Sequence, residues 1–228
     1  RNTAVKYPNR FDLPTDKQVI TLLEKCQEAG IDLLDTAPAY GSSESRLGDL
    51  LPGRRQDWLL STKAGETLID GQKKFDFSHF AISNSVEQSL KNLRTDYLDI
   101  VMIHSDGNDM QILEHSDAME TLQGLKQAGK IRWIGMSTKT IAGGLAALSV
   151  SDILMVELSY EDQSQLPVIE AASQKSCGLL IKKALNSGHA EPKASLRYVL
   201  GHQAVTSVVV GTINTKHLQA NIDTALAV

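Results

Sequence analysis

The sequence predicts an α/β protein of the (β/α)8 TIM-barrel architecture, and three observations lead there. Seven short apolar runs of β type alternate with longer stretches of helical periodicity along the 228 residues, the pattern of parallel strands joined by crossover helices. Successive strands begin roughly 30 residues apart, the length of one βα unit. The turn after the first strand reads Asp35-Thr36-Ala37-Pro38-Ala39-Tyr40, and neither Gly-x-Gly-x-x-Gly nor GxxxxGK[ST] occurs there, which argues against an open doubly wound nucleotide-binding sheet.

The elements follow in order. Residues 1–14 read as a loop. Thr15 then caps a helix whose apolar face is Val19, Leu22, Leu23 and Cys26, and Gly30 stops it. Strands are expected at 31–35, 58–62, 97–103, 131–136, 153–158, 178–181 and 205–210. Between them, Asp117 with Glu120 three residues later gives a capping-box-like start to a helix with Met119, Leu122 and Leu125 on its apolar face and Gly129 as its stop. Helical periodicity also covers 83–93, 167–175, 194–200 and 215–226. No linker or low-complexity stretch interrupts the alternation, so residues 1–228 read as one barrel domain. A closed barrel needs eight strands. Because Arg1 is not a start methionine and the chain opens in a loop leading to a helix, a first strand is expected upstream of this segment.

Composition narrows the function. With 23 Lys+Arg against 27 Asp+Glu the net charge is −4, and the only basic doublets are Arg54-Arg55, Lys73-Lys74 and Lys182-Lys183, so no nucleic-acid footprint is expected. No apolar run approaches the ~18 residues of a membrane span. Cys26 and Cys177 lie far apart without CxxC spacing, which fits a reducing, cytoplasmic setting. His79, His115, His189, His202 and His217 show no HxH or HExxH spacing, so no metal is expected.

Polar residues end the apolar runs. Asp35 closes Ile-Asp-Leu-Leu-Asp, Lys63 follows Trp-Leu-Leu-Ser-Thr, and His104 follows Ile-Val-Met-Ile. In a parallel barrel the C-terminal strand ends share one face, so the three should converge, with Tyr40 in the loop above. The chemistry follows from the residue types. A phenol with an unperturbed pKa of ~10 becomes a usable acid when a cation stabilises its phenolate. Lys63 can be that cation, Asp35 can keep it charged, and His104 can hydrogen-bond a substrate oxygen. That is a carbonyl-reducing site.

The chain resembles the aldo-keto reductase family. The resemblance is carried by Asp35-Thr36-Ala37, Tyr40-Gly41, Ser43-Glu44-x-x-Leu47-Gly48, Ser61-Thr62-Lys63, Ser89-Leu90-x-x-Leu93-x-x-Asp96-Tyr97-Leu98-Asp99, Ile103-His104 and Gly129-Lys130-Ile131-Arg132-x-Ile134-Gly135-x-Ser137, in that order. It implies the barrel, NADPH-dependent reduction of an aldehyde or ketone to an alcohol, and a catalytic tetrad of Asp35, Tyr40, Lys63 and His104. Within it Tyr40 is the implied proton donor, Lys63 with Asp35 tunes it, and His104 orients the carbonyl.

The same resemblance implies cofactor contacts. Ser137 and Thr138 stand where the family often has Ser-Asn, Met155 where it often has Gln, and Lys182 where an aromatic commonly stacks on nicotinamide, followed by Lys183, Ala184 and Leu185. Lys182 and Lys183 could instead neutralise pyrophosphate oxygens. After the last strand, Gly211 and Thr212 with Lys216, His217 and Asn221 resemble the family's loop and helix for the adenosine phosphate and adenine, with Thr212, Lys216 and His217 as the 2′-phosphate grip. NADPH is thereby favoured over NADH. Small aldehydes are the expected substrates and a monomer or weak oligomer the expected state. Two other readings compete: a nucleotide-binding regulatory or redox-sensing barrel without significant turnover, and a Schiff-base enzyme using Lys63, which pairing with Asp35 disfavours.

Overall fold

A computed structural model describes residues 11–51 and 54–228. Residues 11–14 are irregular, and the rest of the expected opening loop lies outside the described residues. Helix α1 (Asp16–Glu28) starts at Thr15, whose hydroxyl accepts from Gln18 N at 3.4 Å while Gln18 Oε1 accepts from Thr15 N at 2.8 Å. That reciprocal box satisfies two of the helix's orphan donors.

The remaining elements are β1 (Leu33–Asp35), α2 (Ser43–Leu50), β2 (Leu59–Ala64), β3 (Glu66–Ile69), β4 (Gln72–Phe75), α3 (His79–Leu93), β5 (Leu98–His104), α4 (Asp109–His115), α5 (Ala118–Gln127) and β6 (Ile131–Ser137). They continue as α6 (Ile141–Ala147), β7 (Ile153–Glu157), α7 (Leu166–Ser173), β8 (Gly178–Lys182), α8 (Pro192–Leu200), β9 (Ser207–Val208) and α9 (Thr215–Ala225). Seven strands form one parallel sheet in the order β1-β2-β5-β6-β7-β8-β9, and all seven expected strands are among them. Sequence neighbours pair side by side, as a right-handed βα repeat requires. The sheet curls into part of a (β/α)8 barrel.

Two apolar layers follow from the period of two along each strand. One face packs under the helices: Leu60, Val101, Ile103, Leu154, Val156, Leu179 and Ile181 cluster there with Ile82, Val86, Leu122, Val168 and Val199. The other face fills the inside of the curl with Ile100, Met102, Met155 and Leu180, against which Leu33, Ile153 and Val209 pack.

Several expectations need correction. Asp117 makes no side-chain cap hydrogen bond; its ψ of 6° is not the extended conformation a cap needs. Ser116 Oγ instead accepts from Ala118 N at 3.3 Å. Helix α3 begins at His79, earlier than residue 83, because Ser78 Oγ accepts from Ala81 N. The last strand shrinks from 205–210 to two paired residues. Helices α2, α4 and α6 add to the expected set, as does the antiparallel hairpin β3–β4. Two glycines make room for α6: a Cβ on Gly143 would meet Asp109 Cβ at 2.1 Å and one on Gly144 would meet Val168 at 2.8 Å, so the helix forms where small residues permit close approach.

At the N-terminal end of β5, Asp99 is fully buried and accepts from Arg55 at 2.6 Å, Arg132 at 2.8 Å and Leu60 N at 2.9 Å. Both guanidinium groups also lie over the Tyr97 ring, at 4.1 and 4.3 Å from its centroid. This gives the Asp-Tyr-Leu-Asp motif a structural reason: it locks two arginines between strands.

Candidate active site

The rim at the C-terminal strand ends is built by the same alternation that fills the interior. Asp35 lies two residues beyond inward-facing Leu33, His104 two beyond Met102, Glu157 two beyond Met155 and Lys182 two beyond Leu180. Each of these four apolar residues is thus followed, on its own face, by a polar group. Register brings the rim groups side by side: Asp35 opposite Ser61, His104 opposite Ser137, and Glu157 opposite Lys182.

Lys63 Nζ donates to Asp35 Oδ2 at 2.6 Å and to the Thr36 carbonyl at 2.8 Å, and Ser61 Oγ donates to the other Asp35 oxygen at 2.8 Å. The lysine side chain is only 2% exposed. A charge so deeply placed needs such partners, and here both are supplied. Tyr40 ends a 3-10 turn, Pro38–Tyr40, that is started by the fixed φ of proline and buried at Ala39. The Lys63 ammonium lies 5.3 Å from the centroid of the Tyr40 ring. The Tyr40 and His104 rings meet edge to face with centroids 6.4 Å apart. The four residues expected to converge therefore do so.

Sequence reasoning missed Glu66. Its side chain is 2% exposed, and its Oε2 lies 2.6 Å from His104 Nδ1, while Lys73 Nζ lies 3.6 Å from Oε1. Gly65, with a φ of 97°, turns the chain out of β2 and into β3; a Cβ there would sit 2.7 Å from the Phe77 ring. Glu44 enters the sequence reading only as part of a motif. It is buried, accepting from Thr62 Oγ1 at 2.7 Å and Asn92 Nδ2 at 3.1 Å, and so ties α2 to β2 and α3.

The expected cofactor residues fall into two groups. In the first, Lys182 Nζ donates to Ser137 Oγ at 3.0 Å and to the Thr138 carbonyl at 2.8 Å, and lies 3.8 Å from Glu157. Lys183 pairs with the same Glu157. Burial pushes the Lys182 ammonium down to about 8, against the opposing pull of Glu157. Lys182 is thus turned into the rim, while half-exposed Lys183 faces Glu157. Leu185 precedes the turn Asn186–Gly188. The second group follows β9. Gly211 has open space where a Cβ would be, Thr212 Oγ1 accepts from Asn214 N at 3.1 Å, and Asn214 caps α9 through Lys216 N at 2.9 Å. Lys216 and His217 are exposed in the first turn of α9, with Asn221 half-buried further along it.

The first group has the chemistry to take a nicotinamide carboxamide. Thr138 Oγ1 is buried with no hydrogen-bond partner among the described residues, next to the Lys182 donor, which suits a group with both donor and acceptor such as a carboxamide. Met155 packs in the interior of the curl and offers no hydrogen-bonding group of a glutamine's kind. Among the described residues there is no cluster of three or more His, Cys, Asp or Glu placed to hold a metal ion, and no helix is long and apolar enough to cross a membrane.

Comparison with known proteins agrees with this geometry. The model of the aldo/keto reductase family matches residues 9–194. Among solved structures, the Pseudomonas aeruginosa protein PA4992, whose description is "putative aldo-keto reductase", superposes with a TM-score of 0.92 at 46% identity, covering 94% of this chain and 85% of that one. The Bacillus subtilis oxidoreductase YqkF is 29% identical, covering 95% of this chain and 85% of its own. The D-threo-aldose 1-dehydrogenase of a Pseudomonas species is 27% identical, covering 87% of this chain and 70% of its own. With the family model matched over most of its length and an Asp-Tyr-Lys-His rim assembled at the strand ends, the chain belongs to the aldo/keto reductase family, oxidoreductases that generally act on carbonyl compounds with nicotinamide cofactors.

Proposed function

We propose that this protein reduces an aldehyde or ketone to an alcohol, with Tyr40 giving the proton to the carbonyl oxygen. One observation carries the reading: a buried ammonium, Lys63, is fixed by Asp35 at 2.6 Å and stands 5.3 Å from the Tyr40 ring. A reduced nicotinamide, when bound, supplies the hydride to the carbonyl carbon. As the oxygen gains negative charge, Tyr40 transfers its phenolic proton to it, and the Lys63 ammonium stabilises the phenolate left behind. Asp35 keeps that ammonium charged through the step, and His104 hydrogen-bonds the same oxygen to hold it in line with Tyr40.

Lys182, Ser137 and Thr138 are proposed to hold the carboxamide. Lys183 and Leu185 flank it, and Gly211, Thr212, Lys216, His217 and Asn221 take the adenosine end, where α9 offers its N-terminal N–H groups and two cationic or cationisable side chains. Those side chains support NADPH over NADH. The likeness to a D-threo-aldose 1-dehydrogenase supports small hydroxylated, sugar-like compounds as the substrate class.

The test follows NADPH and NADH oxidation on adding a panel of aldehydes, for the wild type and Tyr40→Phe. Aldehyde-dependent oxidation lost in Tyr40→Phe, with nucleotide binding intact by calorimetry, supports the proposal. A second reading, a nucleotide-binding barrel without turnover, is favoured by one observation, the apolar Met155 on β7 where the family often has a glutamine for the carboxamide. Tight binding with no oxidation across the panel would select it.

A further inference from the structure

The imidazole of His104 has two nitrogens, and the Nδ1 contact constrains what the other can do. A nitrogen and a carboxylate oxygen 2.6 Å apart repel through their lone pairs unless a proton lies between them. A neutral imidazole carries one N–H. If that hydrogen sits on Nδ1, facing Glu66, Nε2 is an acceptor and cannot donate to a carbonyl oxygen. Donation from Nε2 requires one more proton in the Glu66–His104 pair.

We propose that Glu66 is a positioning residue that holds His104 as an imidazolium, so that Nε2 donates a charge-assisted hydrogen bond to the substrate's carbonyl oxygen; this rests on the carbonyl-reductase reading above. Such a bond strengthens as the oxygen becomes anionic, which lowers the barrier rather than tightening substrate binding alone.

The surroundings favour the ion pair. Glu66 is buried, yet its second oxygen has Lys73 of β4 at 3.6 Å, which favours carboxylate over carboxylic acid and leaves the shared proton on the ring. From β2 comes Lys63, which opposes a second cation, but Asp35 of β1 neutralises it at 2.6 Å. Tyr40 presents an uncharged ring edge to face. On the β6 side the register partner is neutral Ser137, with Lys182 and Glu157 paired beyond it. Glu66 thus places a carboxylate oxygen against the His104 ring at 2.6 Å. The proton balance is simple: Tyr40 gives the proton to the product oxygen, His104 keeps both of its own, and solvent restores the phenol.

The experiment reads the ring directly. The ¹⁵N imidazole resonances of His104, assigned with His104→Asn, are followed against pH in the wild type and in Glu66→Gln, which is isosteric and removes the charge. The kcat and KM profiles are measured alongside, and thermal melts confirm that each variant is folded. In the wild type both ring nitrogens stay protonated above neutral pH, and kcat falls on the alkaline side as the ring loses its proton. In Glu66→Gln the proton is lost about tenfold more readily, kcat near neutral pH falls about tenfold or more while nucleotide affinity holds, and Glu66→Asp recovers part of both. A wild-type ring neutral at neutral pH, or a titration and alkaline limb that Glu66→Gln leaves in place, would overturn the proposal. Failure of the reductase reading is seen separately, as no aldehyde-dependent NADPH oxidation by the wild type, and does not touch the resonance measurement.

Discussion

Lys182 Nζ stands 3.0 Å from Ser137 Oγ, reaching from β8 to β6 across the end of β7. The contact links two strands that share no backbone pairing and places a cation over the mouth of the curl. Burial pushes its ammonium down to about 8 from an ordinary 10.5.

Nucleotide affinity should therefore depend on pH. If the Lys182 ammonium donates to the carboxamide, binding is strong below pH 8 and weakens as pH rises through it, because the donor loses its charge. Titration calorimetry with NADPH should show that loss in the wild type and a flat profile in Lys182→Gln. An identical slope in both would remove Lys182 from the binding site.

The same lysine should mark the stability curve. Its folded pKa, about 8, lies below the unfolded value of 10.5, so between these limits the unfolded chain binds more protons and stability rises with pH. Urea unfolding should show the wild type gaining up to about 3 kcal/mol relative to Lys182→Met between about pH 8 and pH 10.5, with no relative gain below.

Asp35→Asn leaves the buried Lys63 ammonium without its counter-charge. Breaking a buried pair from one side costs about 3–5 kcal/mol, and here it also weakens stabilisation of a Tyr40 phenolate. The expected result is a matching loss in urea unfolding and a fall in kcat of about a hundredfold. Adding Lys63→Met should recover stability but not rate, and recovery of both would show the pair to be structural only.

The opposite end of the strands should behave differently. Asp99→Ala strands Arg55, Arg132 and the Leu60 N–H and should destabilise by about 3 kcal/mol or more. At temperatures where the variant stays folded, kcat and KM should match the wild type.

Gly48→Ala tests close packing away from the rim. Its Cβ would lie 2.1 Å from the Asn92 carbonyl oxygen, so α2 must move off α3, at about 1–3 kcal/mol. Calorimetry should show a Tm lower by several degrees, with Thr62 and Asn92 losing their grip on Glu44.

The parallel strands and the Asp35, Lys63 and His104 rim are legible in the sequence because an ionisable residue at the end of a buried apolar strand marks the point where the chain leaves the core, and Tyr40 is read from its place in the loop five residues past Asp35. The hairpin is also within reach. Asp70-Gly71 sits between its strands with φ values of 51° and 75°, and an Asp-Gly pair is the strongest short signal for such a turn. It escapes a reading by periodicity because the flanking segments, Glu66–Ile69 and Gln72–Phe75, are mostly polar and lack apolar alternation. Glu66 cannot be found that way at all. Its partner His104 comes 38 residues later, and only the turn at Gly65 brings them together. The capping box expected at Asp117 fails for a local reason: α4 ends just before it, and Ser116 takes the capping role.

The hairpin carrying Glu66 pairs with no strand of the seven-stranded sheet. Residues 66–75 are thus an excursion from that sheet that brings a buried carboxylate to His104. The carboxylate beside His104 is thus carried by a segment outside that sheet, and a change confined to residues 66–75 would alter it while leaving Asp35, Tyr40, Lys63 and His104 in place.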